Sequence, residues 1–275
     1  MNDANFKVGV RSLLRWAGAA VLALGVSTAA VAGISATKHN LGTTQTVGNR
    51  MTTGTSEICV FCHTPHASST SVSAPLWNKA VPASNTFTTY STANSSTIDG
   101  AVSLGSISLA CLSCHDGSQA MDNMINQPGS GGYAAGGAVL PGGVWAGANQ
   151  TAGQMTGVAN LGKDLSNDHP VGIQYCGGGI STGSADKSAA STGSCTDVDF
   201  VAPLNTTINS TRVWWVETGG GTTRTKSDMI LYGQTVTNWQ PMVECGSCHD
   251  PHSTNTTFLR IANTGSAVCL ACHNK

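Results

Sequence analysis

Apolar positions are spread unevenly along the chain. One unbroken apolar run, Ala17–Val26, follows a basic start made by Lys7, Arg11 and Arg15. Ala30-Val31-Ala32 then offers a small-residue cleavage site. Residues 1–32 therefore read as an export signal, with a mature start at Gly33. The competing reading, a membrane anchor, asks for roughly 20 apolar residues, and this run is shorter. No later stretch is apolar enough to span a bilayer, and no cysteine stands at the cleavage site to carry a lipid. Beyond Gly33 the patterning is weak. Arg212-Val-Trp-Trp-Val-Glu217 is strand-like, Gly219–Gly221 turns, and the chain returns through Thr222–Lys226, which predicts a hairpin. Trp214 and Trp215 either pack in the core, the default for such residues, or mark a face against a bound group or partner. The Gly-rich stretch Gly129–Gly147, with Gly131-Gly132, Gly136-Gly137 and Pro141-Gly142-Gly143, reads as loop, and with no helix pattern after it does not suggest a phosphate cradle.

Composition explains the weak pattern. Charged residues make up 10 % of the 275, against roughly 25 % in a typical soluble protein, and aromatics make up 5 %. So few large apolar side chains build little core, and something else must supply it. Removing residues 1–32 takes away Lys7, Arg11, Arg15 and Asp3, leaving 13 − 3 = 10 basic and 14 − 1 = 13 acidic residues, a formal charge of −3. Nucleic-acid binding would leave a basic footprint, and none is present.

The cysteines carry the chemistry. An exported chain with ten cysteines first suggests a disulfide framework, but eight of them fall in C-x-x-C-H motifs. These are Cys59/Cys62/His63, Cys111/Cys114/His115, Cys245/Cys248/His249 and Cys269/Cys272/His273, motifs I to IV below. The spacing is that of covalent c-type haem attachment. Two thiols add across the porphyrin's two vinyl groups, and the next residue's neutral imidazole ligates the iron. Structural zinc also uses C-x-x-C pairs, but does not require histidine after every second cysteine. The reading is four covalently bound haem c groups, with short helices at the motifs. The fold class expected is mostly irregular coil with short helices and a small β-hairpin, a multihaem c-type cytochrome fold organised around four covalent haems in place of an apolar core.

Eight histidines minus four proximal ones, His63, His115, His249 and His273, leave His39, His66, His169 and His252, one per iron. Methionine ligation is the alternative, and it would raise the potential. His66 and His252 follow their motifs in C-H-x-P-H. Three residues reach at most about 10 Å, and Pro65 and Pro251 extend the residue before them, so each should serve a neighbouring iron. The expected pairings are His66 with motif II, His252 with motif IV, His39 with motif I and His169 with motif III. An alternative sends His39 into another subunit and gives His169 to motif I. Cys176 and Cys195 remain, and in an exported protein they read as a disulfide rather than a redox or metal site.

The motifs also form a repeat, His … C-x-x-C-H-x-P-H … C-x-x-C-H, over about residues 39–115 and 169–273. The paired motifs start 111 − 59 = 52 residues apart in the first unit and 269 − 245 = 24 in the second. An insertion at Ser68–Leu109 accounts for the difference. The expected organisation is export signal 1–32, first dihaem unit 33–128, Gly-rich connector 129–165, and second dihaem unit 166–275 with the disulfide loop and hairpin.

Thr37-Lys-His39-Asn, Glu57–His66, Ala74-Pro-Leu-Trp-Asn78, Ser166–Gly172, Glu244–His252 and Phe258-Leu-Arg260 carry a resemblance. The chain resembles the doubled C-x-x-C-H multihaem cytochromes, and more narrowly the tetrahaem outer-surface nanowire cytochromes of metal-reducing bacteria. That resemblance implies a non-enzymatic electron carrier, exported to the cell surface or beyond. It implies a filament of like subunits, with other multihaem cytochromes as partners and external acceptors such as metal oxides. An axial histidine can cross between such subunits, and His39 is the candidate. A weakly charged surface offers little resistance to self-association. Two other readings are a monomeric periplasmic shuttle and a multihaem reductase of nitrite or hydroxylamine. The latter needs an iron with an open position, which the histidine count does not leave.

Overall fold

Few long apolar runs means few long elements. The computed structural model describes residues 33–90, 98–100, 102–129, 131–181, 194–208, 211–233 and 240–274. The expected export signal lies outside them. At the motifs helix appears as α1 (Ser106–His115), α2 (Cys245–Cys248) and α3 (Ala267–Cys272), with single 3-10 turns such as Cys59–Phe61. No described helix is long and apolar enough to cross a membrane. The strands that frame the motifs are, in chain order, β1 (Arg50–Thr53), β2 (Met124–Asn126), β3 (Tyr133–Ala138), β4 (Val144–Ala146), β5 (Ile173–Gln174), β6 (Leu204–Ile208), β7 (Thr211–Val216), β8 (Met229–Leu231) and β9 (Met242–Val243). They pair antiparallel as β1 with β4, β2 with β3, β5 with β9, and β6–β7–β8.

Two expectations need correction. The strand at Arg212–Glu217 is present as β7, but its return is β8, not Thr222–Lys226, and β6 pairs on its other side. The cause is Asp228, fully buried. Its carboxylate accepts from Thr218 N at 3.0 Å and Thr225 N at 2.5 Å, which holds 218–228 as a loop and starts the strand at Met229. These hydrogen bonds keep the Asp228 carboxyl below the usual range even though burial works against it. Trp214 and Trp215 are both 2 % exposed, which is the core reading. The Gly-rich stretch is not loop throughout, because it contains β3 and β4. Glycine weakens a strand, so here tertiary contacts impose the pairing. Gln127 Nε2 donates to Val139 O at 2.9 Å. Asp122 accepts from Leu140 N and Trp145 Nε1, both at 3.1 Å. Trp145 then closes over Phe61, ring centres 6.4 Å apart.

The apolar residues gather in separate small clusters beside the motifs. Leu41, Met51, Phe61, Met121 and Met124 pack with Cys62 and Cys114. Tyr175, Cys176, Ile180, Trp214, Val216, Met229 and Leu231 pack with Cys272. The edges of these clusters are thus motif cysteines, where a tethered group would extend them. The Cys176–Cys195 disulfide is formed, and Tyr175 Oη ties it to motif IV through Cys272 O at 3.1 Å. Closing its loop stabilises by about 3 kcal/mol in the chain-entropy model. Cys176→Ser/Cys195→Ser should lower the melting midpoint accordingly, with the haem content unchanged.

Candidate functional site

Each motif sits on a short helical turn, which brings its two cysteines to one side. In motifs I, III and IV the histidine N–H (His63, His249 and His273) donates to the carbonyl of the first cysteine, at 2.8, 3.1 and 3.0 Å. That bond ends the helix and turns the histidine into extended backbone. Motif II instead closes α1. The eight motif cysteines are unpaired.

Consecutive motifs are neighbours. Cys114 lies close enough to Cys62 to act on it, as do Cys111 and Cys245 on each other and Cys269 on Cys248. The motifs therefore follow one another in the order I, II, III, IV. Burial pushes the Cys62 and Cys272 thiols up to about 12, so both are thiols, not thiolates. Glu244 fastens II to III. Its buried carboxylate accepts from Gly105 N at 2.9 Å, at the start of α1, and from Ser108 Oγ. Ser108 Oγ in turn accepts from Cys245 N at 3.1 Å. Glycine at 105 leaves room for the Glu244 carboxylate, which a Cβ there would push aside.

The sequence repeat is also a repeat of hydrogen bonds. After motif I, Thr64 N donates to Leu76 O, Asn78 N donates to Cys62 O, and His63 Nδ1 faces Pro75 O at 2.7 Å. After motif III, Asp250 N donates to Phe258 O, Arg260 N donates to Cys248 O, and His249 Nδ1 faces Thr257 O at 2.8 Å. Pro65, His66 and Leu76 thus correspond to Pro251, His252 and Phe258. Leu76 and Phe258 share positive φ, 53° and 61°. His39 and His169 correspond as well. Each lies three residues before a glycine, Gly42 or Gly172, set against the segment leading into motif I or III.

The histidine rings form two facing pairs. His63 and His252 have ring centres 6.2 Å apart, with planes at 18°. His39 and His115 have centres 6.3 Å apart, with planes at 79°. Metal–imidazole bonds of about 2.0 Å, plus about 1.2 Å from each nitrogen to its ring centre, place two axial rings about 6.4 Å apart. Both separations fit one iron between the rings. The outer nitrogens are engaged, as metal-ligating histidines require. His115 Nδ1 faces Ala159 O at 2.8 Å, His39 Nδ1 faces Pro251 O at 3.1 Å, and His252 Nδ1 lies 3.4 Å from the Asp250 carboxylate. Desolvation lowers His39 to about 4 and also lowers His115, so both rings are neutral, the form that ligates.

These ring pairs differ from the expected pairings. His39 faces motif II, not motif I, and within its own chain. His252 faces motif I, not motif IV, and the place expected for His66 opposite His115 is taken by His39. Chain order misled because C-H-D-P-H of the second unit folds back against the first. His66 and His169 are exposed. Among the described residues neither forms such a pair, and no imidazole stands opposite His249.

His273 also departs from the expected arrangement. It was to share an iron with His252, but its half-buried ring packs on Phe200 instead, centres 4.7 Å apart and planes at 46°. The cause is the chain leaving the disulfide, which runs beside motif IV. Val201 N donates to Cys272 O at 2.9 Å and Asn274 N donates to Asp199 O at 2.8 Å, so Phe200 lies against His273. Motif IV thus carries Cys269 and Cys272 on α3 and His273 just after it, with the His273 ring against Phe200. No three His, Cys, Asp or Glu side chains converge, at His273 or elsewhere among the described residues, as a zinc site would need.

Lys79 and Asp250 escaped the sequence reading. Lys79 is fully buried, and its ammonium donates to Met121 O at 2.7 Å and Asn123 O at 3.0 Å. It lies near enough to Cys62 to act on that thiol. A lone lysine among polar residues gives no signal. Asp250, in C-H-D-P-H, gave one, as an acid two residues from a histidine. Burial opposes its charge, but the His252 N–H and the Lys226 and Arg260 charges hold its carboxyl low.

Residues 240–275 match the doubled CXXCH motif family. No curated protein matches the chain. The matched segment holds motifs III and IV, so it carries a cytochrome-like feature, a doubled motif for covalently bound haem c. That chemistry is a one-electron change at iron. What a protein supplies to such a group is attachment, axial ligands and their hydrogen-bond partners.

Proposed function

We propose that the protein carries four haem c groups, one on each motif, and moves electrons along them in the order I to IV. The observation that carries this reading is the pair of histidine separations, 6.2 and 6.3 Å. Under it His63 and His252 hold the iron on motif I, and His115 and His39 hold the iron on motif II. His249 and His273 hold the irons on motifs III and IV from the attachment side. The test is a pyridine haemochrome count together with optical spectra. Four haems per chain are expected, and fewer would refute the reading. In this setting the Lys79 ammonium disfavours the ferric state of the haem on motif I. Lys79→Met should therefore lower the midpoint potential of one haem in a redox titration. It should also destabilise the fold by about 1–3 kcal/mol per carbonyl left unpaired.

The finer reading is a polymer, exported and extracellular, that passes electrons to external acceptors such as metal oxides. The hydrogen-bond repeat supports it. Within one chain, the second unit's His252 serves the first unit's motif I, while His39 serves its own motif II and leans on Pro251 and Phe258. Repeating that relation once more places His66 of a following copy on motif III. It also places His169 opposite His273 on motif IV, against the following copy's Pro65 and Leu76. His66, His169 and Leu76 are exposed, as a surface awaiting that copy requires. His39, engaged in its own chain, is not the crossing residue.

A reductase reading has one observation in its favour, the lack of an in-chain imidazole opposite His249 among the described residues. An iron open there would bind nitrite or hydroxylamine. The two readings separate by carbon monoxide. Polymers should bind none when reduced, and dispersed monomers should bind it at motif III. A periplasmic shuttle would stay monomeric at high concentration.

A further inference from the structure

Resting on the axial ligation proposed above, we infer that the first two irons are held in different ligand fields, and that Phe258 is the positioning residue that makes them differ. The rings that face each other at motif I are nearly parallel, at 18°, and those at motif II are nearly perpendicular, at 79°. Each of the four rings has a partner for its outer nitrogen, namely Pro75 O, the Asp250 carboxylate, Ala159 O and Pro251 O. A ring ligated through one nitrogen and engaged through the other retains little freedom to spin about its bond to the metal.

His39 has a second constraint. The Phe258 ring stacks on it, centres 4.1 Å apart and planes at 16°. Because an imidazole lying flat against Phe258 must stay parallel to it, Phe258 sets the crossing with His115. Thr257 and Phe258 both have positive φ, 52° and 61°, a strained backbone for non-glycine residues. Strain at the residue that orients a ligand is where such strain collects.

The consequence is electronic. In low-spin ferric haem the unpaired electron occupies the two iron d orbitals that π-bond with the axial rings. Parallel rings act on one orbital, split the pair and give a rhombic three-line paramagnetic resonance spectrum. Crossed rings act on both alike and leave them nearly degenerate. They give a single, strongly anisotropic feature at larger g. Motif I belongs to the first class and motif II to the second.

The test is electron paramagnetic resonance of the oxidised full-length protein, with haem content checked in each sample. Wild type should show both classes. Phe258→Gly, which suits the positive φ, and Phe258→Leu, which has the residue found at the equivalent position 76, should each move the intensity of one haem out of the large-g feature. His39→Met should remove the same intensity. A wild-type spectrum without the large-g feature overturns the inference, as does that feature keeping its full intensity in both Phe258 variants. Failure of the ligation reading looks different, because His39→Met would then leave every haem unchanged. If His39→Met instead removes a rhombic signal, ligation stands and the crossing angle is wrong.

Discussion

Replacing His252 by alanine is expected to leave one haem high-spin and open to carbon monoxide, and that haem is the one on Cys59 and Cys62. The effect is large because a low-spin iron loses one of its two strong axial ligands outright. The 6.2 Å separation from His63 leaves room for an iron between the rings, and Asp250 aligns His252 from behind. The location can be tested in two backgrounds. With Cys59→Ala/Cys62→Ala the His252 change should add no carbon monoxide binding, and with Cys269→Ala/Cys272→Ala it should keep its full effect. Non-additivity marks the pair that shares a site. His252→Met should restore six-coordination with a raised potential for that haem. If the open iron lies on Cys269 and Cys272 instead, opposite His273, the pairing drawn from the fold is wrong.

The motifs and their helical turns were legible because covalent chemistry sets C-x-x-C-H, whatever surrounds it. The Cys176–Cys195 bond was legible by elimination. The repeat was legible too, but its consequence was not. Sequence showed that His252 cannot easily reach its own iron. It did not show that the loop after His249 folds back so that Pro251 meets His39 and His252 meets His63. For the same reason it misplaced the neighbour of His273, since Phe200 reaches that ring only through backbone bonds between distant segments. Nor could local pattern reveal β3 and β4. Val144 pairs with Thr53, far away in the chain, and the glycines between carry no strand signal of their own. The return strand failed for a related reason, since a buried Asp228 decides where the loop ends, and hydrophobic alternation does not record it.

Under the filament proposal, His66→Ala carries the second large effect, the loss of assembly with little change in the subunit. His66 is exposed, and its loop is fixed by its backbone. Asn126 Nδ2 donates to His66 O at 2.6 Å, and Thr64 Oγ1 donates to the same oxygen at 3.0 Å. Removing the imidazole should therefore leave melting within about 0.5 kcal/mol of wild type. In a filament held by ligation the same change deletes an iron–nitrogen bond at every junction. Electron microscopy of secreted protein should show filaments for wild type and dispersed subunits for His66→Ala, whose reduced form should bind carbon monoxide at motif III. Free imidazole should return that iron to low spin without restoring filaments, because it fills the site but joins nothing. Leu76→Asp approaches the junction from its other contact and should also block assembly, by placing a charge where Phe258 meets His39 in the internal copy of the interface. Filaments of normal length from His66→Ala, low-spin throughout, would show that the internal relation between the two units is not the one that propagates between chains.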